Sequence, residues 1–221
     1  SHTYQRGIQS LADGTLTFTP ESAFDGTITA VSVKEITAAT TAPTTYKDST
    51  GATALEQRLT TEALSNIFIG KESGRYNVTG HENVIIGHKS MRTSLSGFWN
   101  VALGHQTLEA NINGTRNVAA GVYALQANQT GHRNIAIGPF TLRANTHGMS
   151  NIAIGADSVW KNTLGNYNIG IGQATLGESV TGDANIAIGH GALPVCNGLS
   201  NAVGIGYSAL GALVTTAEPP V

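Results

Sequence analysis

The stretch Asn134-Ile135-Ala136-Ile137-Gly138-Pro139-Phe140-Thr141-Leu142-Arg143-Ala144-Asn145-Thr146-His147-Gly148 decides the fold, because close variants of it fill most of the chain. Its opening phrase occurs nine times, as NIFIG, NVIIG, NVALG, NVAAG, NIAIG, NIAIG, NIGIG, NIAIG and AVGIG. The closing glycines are Gly70, Gly87, Gly104, Gly121, Gly138, Gly155, Gly172, Gly189 and Gly206, each 17 residues after the one before. A period held through eight intervals without insertion requires every repeat to stack on its neighbours in one register, which is the signature of a solenoid.

Numbered from its asparagine, the repeat has Asn66, Asn83, Asn100, Asn117, Asn134, Asn151, Asn168 and Asn185 at position 1. Positions 2 and 4 are almost entirely Ile, Val or Leu, whereas position 3 shrinks from Phe68 and Ile85 to Ala102, Ala119, Ala136, Ala153, Gly170 and Ala187. Side chains alternate in direction along a strand, so one face is bulky and the other nearly flat. The bulky face is expected to fill the coil, meeting position 9 (Met91, Leu108, Leu125, Leu142, Val159, Leu176, Leu193, Leu210). The flat alanine face is expected to pack against other subunits.

Two further columns mark the expected corners. Position 12 is Asn77, Ser94, Asn111, Asn128, Asn145, Asn162, Ser179 and Cys196, and position 15 is glycine from Gly80 to Gly182. Asparagine tolerates left-handed backbone, and its amide bonds to the turn or to its counterpart one rung away; glycine takes positive φ freely. In the last repeat Gly198 and Asn201 arrive one residue early, which predicts a bulge. Nine rungs about 4.8 Å apart make a rod on the order of 40 Å long. Because positions 2, 4 and 9 supply two apolar walls in each repeat, separate coils are preferred to three intertwined chains.

Working outward, residues 1 to 36 hold two alternating segments, around Thr15-Leu16-Thr17-Phe18 and from Gly26 to Val33, that read as the end of a truncated β module. Residues 37 to 65 read as a Thr-rich linker followed by a cap on the first repeat. Leu55, Leu59 and Ala63, at i, i+4 and i+8, make that cap a helix of about three turns. Residues 66 to 210 are the solenoid and 211 to 221 a C-terminal tail.

All 17 asparagines of this 221-residue chain follow residue 65, so composition changes where the repeats begin. Charged residues make up only 12%, and the net charge of −2 offers nothing to attract nucleic acid or an anionic membrane. No apolar run is long enough to span a bilayer, and no signal peptide is expected. The lone Cys196 sits in the position 12 column and reads as buried rather than reactive.

The pattern N-[IV]-A-I-G-x-x-[ST/A]-L-x-x-N-x-x-G resembles the repeats of bacteriophage tail fibres and related receptor-binding proteins. NIAIG is also similar to the NSVAIG phrase in the heads of trimeric autotransporter adhesins, which are left-handed parallel β-rolls with three chains around an axis. The segment SAFDGTITAVSVKEI, from Ser22, resembles the closing strand of phage jelly-roll modules. The resemblance implies an all-β parallel β-solenoid (β-roll) of nine 17-residue repeats assembled as a homotrimer. It also implies a place in the virion tail fibre, outside the host cell, with the other tail-fibre domains as partners. The 17-residue period, and the lack of a neck motif or coiled-coil stalk, separate the chain from the bacterial adhesins.

For chemistry the sequence offers little beyond a surface. Phrases such as GIGQATLG lack the GK[ST] ending of a phosphate loop. His88 and His105 share position 6 on adjacent coils without a third metal ligand, and carboxylates such as Asp157, Glu178 and Asp183 do not cluster. No catalytic residues, metal or cofactor are expected, and the chain is not read as an enzyme. Positions 16 and 17 depart most from the consensus and collect Trp99, Arg116, Arg133 and Tyr167; position 10 adds Arg75, Arg92, Arg143 and Trp160. Aromatic faces stack on sugars and arginines pair with acidic groups. The expected ligand-binding residues are Trp99, Arg116, Arg133, Tyr167 and Trp160, and the expected partner is host cell-surface polysaccharide or lipopolysaccharide. The alternatives are a purely structural fibre spacer and the head of a bacterial trimeric adhesin.

Overall fold

A computed structural model describes the backbone of Thr44–Lys47 and Thr53–Leu59, and residues 65–195 and 198–211 in full. The β module expected in residues 1 to 36, Cys196, and the tail beyond 211 lie outside the described residues. All described elements fall within the unit Ala38–Val221.

Eleven strands form one sheet in strict chain order. A hairpin of β1 (Thr44–Lys47) and β2 (Thr53–Leu59) comes first. Nine three-residue strands follow: β3 (Ile67–Ile69), β4 (Val84–Ile86), β5 (Val101–Leu103), β6 (Val118–Ala120), β7 (Ile135–Ile137), β8 (Ile152–Ile154), β9 (Ile169–Ile171), β10 (Ile186–Ile188) and β11 (Val203–Ile205). β3 to β11 pair in parallel, each position directly over its counterpart, as Ala136 is over Ala153. The predicted parallel solenoid is therefore what the chain forms, and the described residues contain no helix.

The predicted helix at the cap is instead β2, which pairs antiparallel with β3 through Gln57↔Ile69 and Leu59↔Ile67. The exposed edge of the first coil decides this: its strand has unpaired backbone groups that a strand satisfies and a helix leaves open. The bulge expected in the last repeat falls partly on residues 196 and 197, which lie outside the described residues; next to them Gly198, at position 14, has a positive φ that no other coil has there. β11 keeps register with β10, and Asn201 occupies position 17 in the left-handed region that every coil has there.

The larger correction concerns which face is inside. Position 3 is the buried one, from Phe68 (2% exposed) to Ala187 (0%), and it packs with position 9 in one continuous core. Positions 2 and 4 face outward; Ile137 is 42% exposed and Ile86 40%. A coil of 17 residues is too narrow for the predicted arrangement. Each complete rung already encloses a leucine or its equivalent, two polar side chains from positions 1 and 12, and a small residue at position 8. From the third coil to the eighth only alanine or glycine stands opposite them, and the second coil seats Ile85 opposite Met91 with the smaller Ser94 in place of asparagine at position 12. The first coil demonstrates the constraint: it carries Phe68 at position 3 and glycine at position 9, where a Cβ on Gly74 would come 2.6 Å from the Phe68 ring.

Two buried asparagine ladders hold the rungs together. At position 1 each Oδ1 accepts the backbone N–H of the next asparagine, at 2.9 Å from Asn83 to Asn66 and 3.0 Å from Asn151 to Asn134. The amide nitrogen donates to the position 15 carbonyl of the same coil, closing the loop (Asn134 Nδ2 to Gly148, 2.9 Å). At position 12, Asn145 Nδ2 donates to Asn128 Oδ1 (2.9 Å) and also to the Gly148 carbonyl (3.0 Å). The Asn-to-Asn bonding expected at position 12 is present there, and position 1 has it as well.

The backbone geometry of the corners differs from expectation. Position 15 glycines are not at positive φ; a Cβ on Gly131 would run into the Asn128 side chain and the carbonyl of Gly148. Apart from the position 5 glycines and Gly198, left-handed backbone among the described residues falls at positions 7, 9 and 17, mostly on non-glycine residues such as Phe140, Leu142 and Arg133. Such conformations cost about 1–2 kcal/mol each in isolation. Here their N–H groups bond to neighbouring coils, as Leu142 does to Ser158 (3.1 Å) and Arg133 to Thr115 (3.0 Å).

Candidate functional site

The side chains that vary between repeats lie on the two corners flanking the strand. Positions 16 and 17 lead into it; positions 6 to 10 lead away. Their backbone is set by the repeat, so each side chain lies one rung from its counterparts.

On the leading corner, His81 stacks on Phe98 (ring centroids 4.8 Å) and Trp99 packs edge-on against Phe98 (5.1 Å). Arg116 lies over Trp99 with its guanidinium carbon 4.3 Å from the ring centre, and Trp99 Nε1 donates to Glu82. Of the five sequence-predicted residues, Trp99 and Arg116 are thus brought together, with each other as partners. Arg133 lies one rung beyond Arg116, exposed. Tyr167 is further along the same column and 61% exposed. Trp160 belongs to the other corner.

Between Arg116 and Arg133 the neighbouring His132 accepts the backbone N–H of Thr115 at Nδ1 (3.2 Å), which fixes the proton of the neutral ring on Nε2. Burial, then the charges of Arg133 and Arg116, lower its pKa from the ordinary 6.5.

The trailing corner carries a longer aromatic file. Ring centroids are 5.2 Å apart from His88 to His105, 5.3 Å from His105 to Tyr123 and 5.4 Å from Tyr123 to Phe140. Arg143 lies over both Tyr123 and Phe140, and its Nε donates to Gln126 Oε1 (3.2 Å). Burial is the main cause that lowers the His88 pKa, followed by the charges of His105 and Lys89. Nearer the first coil, Glu72 pairs with Arg75 (3.3 Å) and Arg92 (3.0 Å), and both arginines lie over Tyr76.

Beyond Phe140 the file opens into a shallow cleft of about 400 Å³ lined by Phe140, Arg143, Asp157 and Trp160. These are positions 7 and 10 of two adjacent coils. The sequence reading found Arg143 and Trp160 in column 10 but missed Phe140 and Asp157. The signal was present: position 7, like position 17, varies from coil to coil in size and charge, running Glu72, Lys89, Gln106, Tyr123, Phe140 and Asp157.

Among the described residues no three His, Cys, Asp or Glu come together to hold a metal ion, and no helix is long and apolar enough to cross a membrane. No protein-family model matches the sequence, and no curated protein or solved structure matches it either.

Proposed function

We propose that the chain is the shaft of a virion tail fibre or similar adhesin, a homotrimer whose rods present their corner columns to host cell-surface polysaccharide or lipopolysaccharide. The observation that carries the assembly is the outward face of β3 to β11. Positions 2 and 4 of these nine strands are aliphatic throughout, and all are exposed or half-buried. An uncharged stripe about 10 Å wide and 40 Å long covers on the order of 400 Å² on each rod, as large as the largest apolar patch of a typical monomer and about half of one partner's share of a standard interface. Another copy of the rod is the partner with the matching rung spacing. Three copies, rather than two, follow from the resemblance to trimeric fibres. Assembly through this stripe replaces the alanine-face interface expected from the sequence. Three parallel rods would multiply weak sugar contacts by multivalency.

Sedimentation equilibrium tests the proposal. The wild-type chain should run at three times its monomer mass and resist dilution, and the double variant Ile137→Lys/Ile171→Lys should be a folded monomer. A wild-type monomer would overturn the assembly.

One observation favours a second reading, that of a structural spacer with recognition elsewhere. Trp99 is already engaged by Arg116 and Glu82, as the rungs of a plain shaft would be. A glycan array separates the two, since a spacer binds nothing on it.

A further inference from the structure

We infer that the cleft between the fifth and sixth coils, lined by Phe140, Arg143, Asp157 and Trp160, is a binding site for a neutral hexose; this rests on the glycan-attachment reading proposed above. It combines, in one concavity, polar groups without hydrogen-bond partners among the described residues and two aromatic walls. Elsewhere on the corners several prominent groups satisfy one another from rung to rung: Trp99 with Glu82, Arg92 with Glu72, Lys161 with Glu178. In the cleft, the Asp157 carboxylate and the Trp160 indole N–H have no hydrogen-bond partner among the described residues. Arg143 and Asp157 line the same space without forming an ion pair there. A carboxylate acceptor and a guanidinium donor therefore line the cleft beside the Phe140 and Trp160 rings.

The reason the file stops here is visible one coil further on, where positions 7 and 10 are Ala174 and Gly177. No large side chain follows Asp157 and Trp160 to cover them. The indole takes the room a side chain at Gly177 would need, since a Cβ there would lie 3.3 Å from Trp160 Nε1. Lys161 sits over the Trp160 ring at 4.8 Å, which holds the ring in place.

A pyranose fits this chemistry. Its C–H face packs on an aromatic ring, while adjacent hydroxyls donate to a carboxylate and accept from a guanidinium or an indole N–H. One positive and one negative side chain leave no net charge to favour an acidic sugar, so the ligand is neutral. The cleft is open and shallow, at the small end of the range for ligand sites, so a single site binds weakly. Repetition on several rods would supply the avidity.

The test uses the full chain, labelled with nitrogen-15, and the methyl glycosides of glucose, galactose and mannose as probes at millimolar concentration. The protein has two tryptophans, and their indole N–H signals report the two corners separately. One of the three probes should shift the Trp160 signal and leave Trp99 in place. Asp157→Asn should weaken that binding by about tenfold, the loss expected when a charged acceptor becomes neutral. Trp160→Ala should abolish it, with circular dichroism confirming that both variants keep the fold. Absence of any shift at Trp160 would overturn the inference, as would binding that both variants retain. A glycan array distinguishes the levels: array binding kept by Trp160→Ala sinks the cleft and spares the adhesin, whereas no array binding by the wild-type chain sinks both.

Discussion

Each asparagine of position 1 bonds to its neighbouring coil and closes its own, with its whole side chain out of water. Such an amide is stabilising only when its partners are all present, because an orphaned buried polar group costs about 1–3 kcal/mol. Position 12 shows both cases. Where asparagine follows asparagine the ladder is complete, but Ser94 follows Asn77 and Ser179 follows Asn162, and serine has no amide N–H to pass down. The Oδ1 atoms of Asn77 and Asn162 and the hydroxyls of Ser94 and Ser179 are buried without a partner. Ser179→Asn should restore the missing donor and raise stability by about 1 kcal/mol, read as a shift in the denaturation midpoint. Asn128→Ala, in the intact run, should lower stability by about 2–3 kcal/mol, because it leaves Asn111 Oδ1 without a donor and opens a cavity. His132 makes a residue-scale prediction about pH. Folding holds its pKa below 6.5, so below that pH the unfolded chain binds a proton that the folded chain refuses. Its effect is absent above about pH 7 and grows as pH falls from 6.5 towards the lowered folded value. His132→Gln should therefore flatten the loss of stability over that window, measured by urea denaturation at a series of pH values.

A single rung is the smallest element that explains what the sequence made legible. Period, strand position, parallel register and the Asn columns all follow from spacing, since identical residues 17 apart can stack in only one way. The direction of the strand does not. Alternation says that two faces differ, and hydrophobicity assigns the bulkier face inward by default. The default failed because interior volume, rather than apolarity, is the scarce quantity in so thin a coil. Phe68 with Gly74 was the legible clue: the largest residue at position 3 coincides with the smallest at position 9. The cap was misread for a related reason, since Leu55, Leu59 and Ala63 fit a helical period while the open edge of β3 demanded a strand. The site residues were legible as variable columns, but which of them still had unused bonds depended on contacts between coils that spacing does not report. The volume rule is testable as a double-mutant cycle. Ala136→Phe should destabilise by about 3 kcal/mol or prevent folding through overpacking. Adding Leu142→Gly, which rebuilds the first coil's combination at the fifth, should recover much of the loss, giving a coupling on the order of 1–3 kcal/mol. Additive losses would show that positions 3 and 9 do not share one space.

At the scale of the whole molecule the rod is one-dimensional: each coil touches only the coils beside it, so stability accumulates along the stack and ends are weaker than the middle. The last coil makes the point, with Ile205 67% and Tyr207 80% exposed. Native-state hydrogen exchange should find the amides of Ile152 and Ile135 the slowest and those near Val203 much faster; uniform rates would mean that the array opens all at once. The position 1 ladder also has a direction, because every Oδ1 serves the following coil. Its last bond is donated by the N–H of Ala202 to Asn185 Oδ1 (2.9 Å). Alanine has no side-chain carbonyl to hand the bond on, so the relay stops there. At the other extremity β2 meets β3 in the opposite sense and so cannot receive a parallel strand in the same pattern. A stack of identical, mutually templating layers is the form of matter from which amyloid grows without limit. Here one residue and one reversed strand give that growth a counted length.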